Sequence, residues 1–233
     1  LNIGLHGILG RGEFTDTGST DATGAPLSGG NGGDLFNDAV IPNAYYAQPI
    51  GDGRFWFGVG LTAPFGLTTD YDNGWTGRYQ TLESELTVID INPSLGFVVN
   101  DWLSLGLGVS AQYASVKLTN AIDFGSLCLG QVEPAAPGTC SAIGALPQQA
   151  DGFVKLDGDD WTLGYNLGAL ITLSDATRLG LAYRSGIDHG IEGDAQFSAP
   201  AAMGALLDPA FTDSQAFAPL NLPARFSVSL HHQ

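Results

Sequence analysis

Apolar and polar residues alternate with a period of two along most of the chain, which predicts strands. From Trp161 to Leu173 the odd positions are Trp161, Leu163, Tyr165, Leu167, Ala169, Ile171 and Leu173, and the even ones are mainly Thr, Gly and Asn. Leu103, Leu105, Leu107, Val109, Ala111 and Tyr113 alternate with Ser104, Gly106, Gly108, Ser110 and Gln112. The same rhythm runs through 1–9, 55–62, 89–99, 179–187 and 226–230, with a weaker strand at 43–48. No segment of useful length shows helical spacing. The pattern predicts about eight strands, several longer than the five or six residues usual in soluble sheets.

The connections alternate strictly between short and long. Gly51-Asp52-Gly53, Asn100-Asp101 and Ser174-Asp175-Ala176 are tight hairpin turns. The other connections span 15–40, 64–84, 120–158 and 190–221. Outer-membrane barrels have short turns on one rim and long loops on the other, whereas a soluble sandwich has no reason for that pattern. The second face of the strands is Gly, Ser, Thr, Asn and Gln, small and nearly uncharged like a packed barrel interior. Trp56, Trp102 and Trp161 sit at strand ends, where interfacial girdles lie. The expected fold is all-β, a transmembrane up-and-down antiparallel β-barrel; the competing reading is a Gly-rich secreted sandwich.

Composition narrows the function classes. Mean hydropathy is +0.10, yet no run of 18 apolar residues exists, so no helix spans a bilayer. The 233 residues carry 8 Lys+Arg against 24 Asp+Glu, a net charge of −16, which argues against a nucleic-acid partner. At 44% apolar and 10% aromatic the chain is too hydrophobic for disorder. Acids such as Asp16, Asp21, Asp34, Asp70, Asp72 and Asp157 concentrate in the long connections. They form either a solvated surface or a divalent-cation bridge to anionic lipopolysaccharide. The chain opens in a strand with no signal peptide and closes in one, so both ends read as cut.

Few motifs carry chemistry. Cys128 and Cys140 share one long loop, and a disulfide suits them better than a metal, with no His nearby. Residues 29–37 match one calcium nonapeptide, but such repeats bind only when stacked, so this reads as a Gly-rich loop. Asp157-Gly158-Asp159-Asp160 is too short for a calcium loop and reads as a turn. No nucleophile elbow, zinc-protease helix or phosphate loop occurs. No catalytic residue, metal or cofactor is called.

The most informative stretch is Ala63-Pro64-Phe65-Gly66-Leu67-Thr68-Thr69-Asp70-Tyr71-Asp72-Asn73-Gly74-Trp75-Thr76-Gly77-Arg78-Tyr79. It resembles the FadL/TodX family of outer-membrane transporters of long-chain fatty acids and aromatic hydrocarbons. Ile91-Asn92-Pro93-Ser94, Trp102 to Gly108, Tyr183-Arg184-Ser185 and Leu222-Pro223 extend the resemblance in order along the chain. The resemblance implies a fourteen-stranded barrel around an N-terminal hatch. Residues 1–233 would then be a partial barrel domain, with the hatch before Leu1 and the last strands absent. It further implies a non-enzymatic protein of the bacterial outer membrane, monomeric, in contact with outer-membrane lipid and lipopolysaccharide, passing a hydrophobic small molecule passively.

Candidate sites follow. Pro64 has no N–H to donate and Gly66 tolerates unusual dihedrals, so the ladder is expected to break at the end of the third strand. A kink in the family's third strand opens the wall laterally, and the resemblance places it at Pro64, Phe65 and Gly66; a plain strand terminator is the other reading. Phe65, Leu67, Tyr71, Trp75 and Tyr79 form either an external capture groove for an apolar chain or loop packing over the barrel mouth. Arg78, Lys117 and Arg184 either hold a substrate carboxylate or pair with nearby acids. The rival function is a structural or adhesive barrel with cation-binding acidic loops; a barrel lipase is the third possibility.

Overall fold

The computed structural model describes residues 1–21, 23–203 and 211–233. Among them are ten strands: β1 (Asn2–Ile8), β2 (Ala39–Ile50), β3 (Phe55–Asp70), β4 (Glu83–Asn100), β5 (Leu103–Asp123), β6 (Asp151–Ser174), β7 (Thr177–Arg184), β8 (Ile187–Ser198), β9 (Ser214–Leu222) and β10 (Arg225–His232). All ten belong to one curled antiparallel sheet. Two short helices, α1 (Phe124–Gln131) and α2 (Thr139–Ala142), lie between β5 and β6.

The 24-residue β6 organises the second half of the wall. Its later part pairs with β7, from Asn166↔Arg184 to Ser174↔Thr177. Its earlier part pairs with β8, from Phe153↔Ser198 to Asp159↔Glu192. β9 pairs with β8, and β10 with β7. Thus β7 and β8 are one stave broken at Ser185 and Gly186, and β9 and β10 are the next, broken at Pro223 and Ala224. Counted as staves, the ten segments make the expected eight. Pro223 cannot donate to a ladder, and a Cβ on Gly186 would stand 3.2 Å from the Leu222 carbonyl oxygen, so both breaks have a local cause.

Lipid accounts for the outer face. Leu105, Leu107, Val109, Leu163 and Leu167 are 46–71% exposed and adjacent, a band no water-soluble sheet would display. No helix among the described residues is long and apolar enough to cross a membrane. The strands cross instead: β3 to β6 run 16 to 24 residues, while one crossing needs about 10. Their upper parts therefore stand clear of the bilayer. There the rule reverses, with Glu85, Lys117, Asp157 and Glu192 on the outer face and Val88, Ala114 and Ile191 buried inside.

That reversal corrects several sequence expectations. The long connections run over 9–38, 71–82, 124–150 and 199–213, the first slightly longer than expected and the other three shorter. The Asp157–Asp160 stretch is not a turn but mid-β6, where Asp157 pairs Lys117 and Gly158 admits the backbone of Glu192 closely. Ile187 does not share the outer face of Leu179 and Leu181: the break before it turns its side chain inward, 3% exposed. Helices do occur. The Asp123 carboxylate caps α1 by accepting from the Ser126 N–H at 3.0 Å, and α1 is too short to show a period. The inner face also carries charge, described below.

Candidate functional site

The wall is breached beside β3. The β2–β3 ladder runs from Ile50↔Phe55 to Ala44↔Leu61 and then stops. Above that point Ala39 to Asn43 remain paired with β1, so β2 leaves β3 while staying in the sheet. On its other side β3 pairs Thr62↔Asp90 and next Phe65↔Val88, which leaves one extra residue at Ala63–Pro64: a β-bulge. The missing N–H of Pro64 explains why the bulge sits there.

The bulge reverses which residues face inward. Phe55, Phe57 and Leu61 pair with the lipid-facing Phe97, Leu95 and Ile91. Phe65 and Leu67, also odd, pair with Val88 and Leu86 on the lumenal face. A cavity of about 510 Å³ occupies the gap. It is lined by Val40 and Pro42 of β2, by Phe65, Leu67 and Leu86 from the inner face, and by Leu61 and Ile89 from the outer face. Residues of both faces line one cavity because the wall is open there. A bridge between Phe36 and Thr69 closes it above.

Behind the gap the lumen is layered. An apolar layer contains Val88, Ala114, Ile191 and Leu222, with Leu86, Val116 and Leu220 packed on it. Directly below lies a polar row. Asp90 Oδ2 accepts from Gln112 Nε2 at 3.1 Å and from Arg184 at 3.3 Å. His189 bridges Gln112 Oε1 at 3.0 Å and Asp160 Oδ2 at 3.1 Å. Asp160 also accepts the Gly190 N–H at 3.2 Å, replacing ladder bonds that β6 and β8 lack at that height. Asp90 is fully buried, and its Oδ1 has no partner among the described residues. A small, nearly uncharged interior was expected; the alternation revealed the face but not the carboxylate lodged between Ile89 and Ile91.

The residues singled out in the sequence fall in four places. Pro64, Phe65, Gly66 and Leu67 border the gap. Tyr71, Trp75, Arg78 and Tyr79 form the heart of the cap of long loops. Trp75 is 5% exposed, stacked on Tyr71 at 3.8 Å and edge-on to Phe14 at 5.0 Å. The Gly-rich segment covers it: a Cβ on Gly32 would meet Tyr71 at 2.7 Å, and one on Gly77 would meet the indole at 2.4 Å. Arg78 is buried and donates to Asp151 at 2.8 Å, to the Ser28 carbonyl at 2.6 Å and to Tyr79 Oη at 2.7 Å. Burial, and then the hydrogen bond to Asp151, push the Tyr79 phenol well above its ordinary range. Beside this cluster lies a cavity of about 660 Å³ whose apolar lining includes Phe14, Leu27, Trp75 and Tyr79.

Lys117 is on the outer face above the lipid band, paired with Glu83 at 2.8 Å. Arg184 is lumenal, paired with Asp90. Each of the three cations thus has a carboxylate partner. A disulfide joins Cys128 to Cys140 and packs, with Phe124 and Met203, into a core under the cap. Gln148, the one described non-glycine residue with positive φ (62°), ties two loops together: it accepts from the Ser28 N–H at 2.6 Å and donates to Asp21 at 2.9 Å. Hydrogen bonds from Thr23 and Gln148 hold the Asp21 carboxyl down at about 2. Among the described residues no three His, Cys, Asp or Glu side chains converge on a metal position. Phe14, Val40, Asp90 and His189 were not singled out in the sequence; only Asp90, an acid inside an alternating run, carried a readable signal.

Comparison with known proteins gives consistent results. Residues 7–233 match the family model described as outer membrane protein transport protein (OMPP1/FadL/TodX). The chain is 31% identical over 163 residues to the long-chain fatty acid transport protein of Escherichia coli K12, covering 67% of this chain and 36% of that one. A crystal structure of a Pseudomonas aeruginosa FadL homologue superposes with a TM-score of 0.76 at 23% identity, covering 99% of this chain and 55% of that one. The Ralstonia pickettii toluene transporter TbuX superposes at 0.56 with 24% identity, covering 88% and 54%. The chain spans about a third to just over half the length of these relatives.

Proposed function

Because the chain belongs to the OMPP1/FadL/TodX family of outer-membrane transport proteins, we propose that it forms part of the wall of a passive transporter for a hydrophobic small molecule, a long-chain fatty acid or an aromatic hydrocarbon. The observation that carries this reading is the breach beside β3, lined by apolar residues of both sheet faces. Such a solute gains nothing from a water-filled pore and is repelled by the charged outer leaflet. It needs a dry pocket and a sideways exit into the bilayer.

Each part has a candidate. The cavity beside Phe14, Trp75 and Tyr79 captures the solute outside. The apolar layer at Val88 and Ile191 receives it inside the lumen. The gap between β2 and β3 releases it to lipid, with Phe65 and Leu67 turned inward by the bulge to line the way. Transfer between these sites is nearly level in free energy, since each apolar group exchanges one greasy surface for another, and the concentration gradient sets its direction. In this reading residues 1–233 are a partial barrel domain, monomeric and set among outer-membrane lipid and lipopolysaccharide.

The test is uptake of radiolabelled oleate and of toluene by a Gram-negative strain lacking its own transporter and expressing the full-length protein. Saturable uptake of either is expected. Uptake no faster than in vector controls, with the protein assembled at the surface, overturns the proposal.

A further inference from the structure

We infer that His189 is a positioning residue held as an imidazolium: both ring nitrogens donate, and the two bonds pin β8 to β5 and β6 where the wall has no ladder.

The wall has a second discontinuity, away from the gap beside β3. The ladder on one side of β6 runs with β8 as far as Asp159↔Glu192 and resumes with β7 at Asn166↔Arg184. Between those pairs six residues of β6, 160–165, face seven of the other stave, 185–191. The extra residue breaks the pairing, so side chains help to close the seam. At its lower end the Ser185 N–H donates to the Tyr165 carbonyl at 2.9 Å, and the Tyr165 N–H donates to Ser185 Oγ at 3.0 Å. Next Ile187 lies over Gly164, where a Cβ would stand 2.6 Å from Ile187 Cδ1. At the upper end stands His189, 1% exposed.

The hydrogens on the ring follow from its neighbours, because donor-only groups fix the chain of bonds at both ends. On one side Arg184 donates to Asp90 Oδ2 at 3.3 Å, so that oxygen accepts. Gln112 approaches the same oxygen at 3.1 Å and must present its amide N–H there. Its carbonyl oxygen then faces His189 Nε2 at 3.0 Å, and that nitrogen must carry a hydrogen. Turning the Gln112 amide over would set acceptor against acceptor at Asp90. On the other side the Gly190 N–H and the Thr162 hydroxyl donate to Asp160 Oδ2 at 3.2 and 2.6 Å. His189 Nδ1 lies 3.1 Å from that oxygen and must donate as well. A neutral imidazole has one N–H, so it serves one side and sets a bare nitrogen against an oxygen on the other. Burial makes that mismatch expensive, since solvent does not replace the lost donor. The charged groups around the ring are Asp160 from β6 and, beyond Gln112, Asp90 from β4 with Arg184 from β7; β9 contributes Leu220, opposite His189. With the imidazolium, two cations meet two carboxylates and the row is neutral.

The bridge reaches the apolar layer. Ile187, His189 and Ile191 share the buried face of β8, and Ile191 belongs to the cluster of Val88 and Ala114. Holding His189 at both nitrogens therefore holds Ile191 at its height. The seam is tight while the ring carries both hydrogens and loosens as rising pH removes the second.

The experiment is isotope-edited nitrogen NMR of the histidine rings of the full-length protein in mild detergent, with amide exchange followed on the same samples. The His189 signal is the one missing from His189→Gln. At neutral pH both of its nitrogens are expected to be protonated. As pH rises until the second proton leaves, protection of amides 187–191, relative to intrinsic exchange at each pH, should fall about tenfold, the worth of one hydrogen bond from a charged group. Gln112→Leu removes the acceptor at Nε2, so its ring should lose the second proton at lower pH than the wild type and without the step in protection. A wild-type ring with one bare nitrogen at neutral pH overturns the inference. So does a doubly protonated ring whose loss of a proton leaves 187–191 unchanged. Should neither variant assemble, the wild-type profile decides: protection at 187–191 that stays flat between about pH 5 and about pH 9 refutes the pin.

Discussion

Deleting Pro64 tests the lateral exit with little collateral change. Below the bulge Thr62 pairs Asp90, and above it Phe65 pairs Val88, so removing one residue makes the β3–β4 ladder continuous. Every retained side chain keeps its face: Phe65 and Leu67 stay inward, and Thr62 stays opposite Asp90. The straightened β3 then lies in register with Ala39 to Asn43 of β2, five residues that now pair only with β1. Zipping that segment adds about four ladder hydrogen bonds, since an antiparallel pair forms roughly one per residue and Pro42 has no N–H. At about 1 kcal/mol each the closed wall gains about 4 kcal/mol, a factor on the order of a thousand in the open fraction. The assay is whole-cell uptake of a labelled fatty acid by the full-length protein, normalised to surface-exposed protein. Uptake should fall at least tenfold, with insertion unchanged or improved. Wild-type uptake per molecule would refute the exit between β2 and β3.

Three further outcomes are expected. Trp75→Ala, Tyr79→Ala should abolish uptake while the barrel still inserts, and unchanged uptake removes the capture cavity from the mechanism; losing an indole packed this closely costs about 3–5 kcal/mol, so protease cleavage within 9–38 should also rise. Arg78→Lys keeps the charge but cannot reach Asp151, Ser28 and Tyr79 together, so the cap should loosen by about 3 kcal/mol, read as faster amide exchange around 75–79. The Asp21–Gln148 tie stabilises the cap above the unfolded carboxyl value of 3.8, because the folded value is depressed to about 2, and that stabilisation is lost as pH falls through the folded value. Protection of the Thr23 and Ala25 amides, taken relative to intrinsic exchange at each pH, should therefore hold at pH 5 and fall below about pH 4; a fall already complete at pH 5 refutes the assignment.

What the sequence made legible was the part of each strand that lipid touches. Between Trp161 and Leu173 the solvent outside is hydrocarbon and the inside is packed with small residues, so contrast is strong at every step. From Asp151 to Asp159 the outside is water and the inside carries Val154 and Leu156, and the same strand reads as loop. Five aromatic and apolar residues from Phe65 to Tyr79 looked like one group in the sequence. The strand in fact continues to Asp70, which assigns Phe65 and Leu67 to the gap and leaves Tyr71, Trp75 and Tyr79 to the cap. The partners of Arg78 and Arg184 are 73 and 94 residues away, and no local pattern encodes such contacts.

The height of the bulge is the point on which fold and function meet. It falls between Thr62↔Asp90 and Phe65↔Val88, at the boundary between the polar row and the apolar layer. Had the extra residue entered two positions earlier, the gap would open on Asp90, a buried carboxylate already missing one partner. Bringing that group toward hydrocarbon costs several kcal/mol, and the wall would resist parting there. Placed where it is, the gap opens on Val88 and Leu86, whose exposure to lipid costs almost nothing. The polar row below stays bonded across β4, β5 and β8 through Gln112 and His189, and below the gap the ladder from Ala44↔Leu61 to Ile50↔Phe55 keeps β2 on β3. One proline thus sets the rung at which the β3 ladder shifts register, and on the transport proposal the side chains around that rung favour an apolar solute.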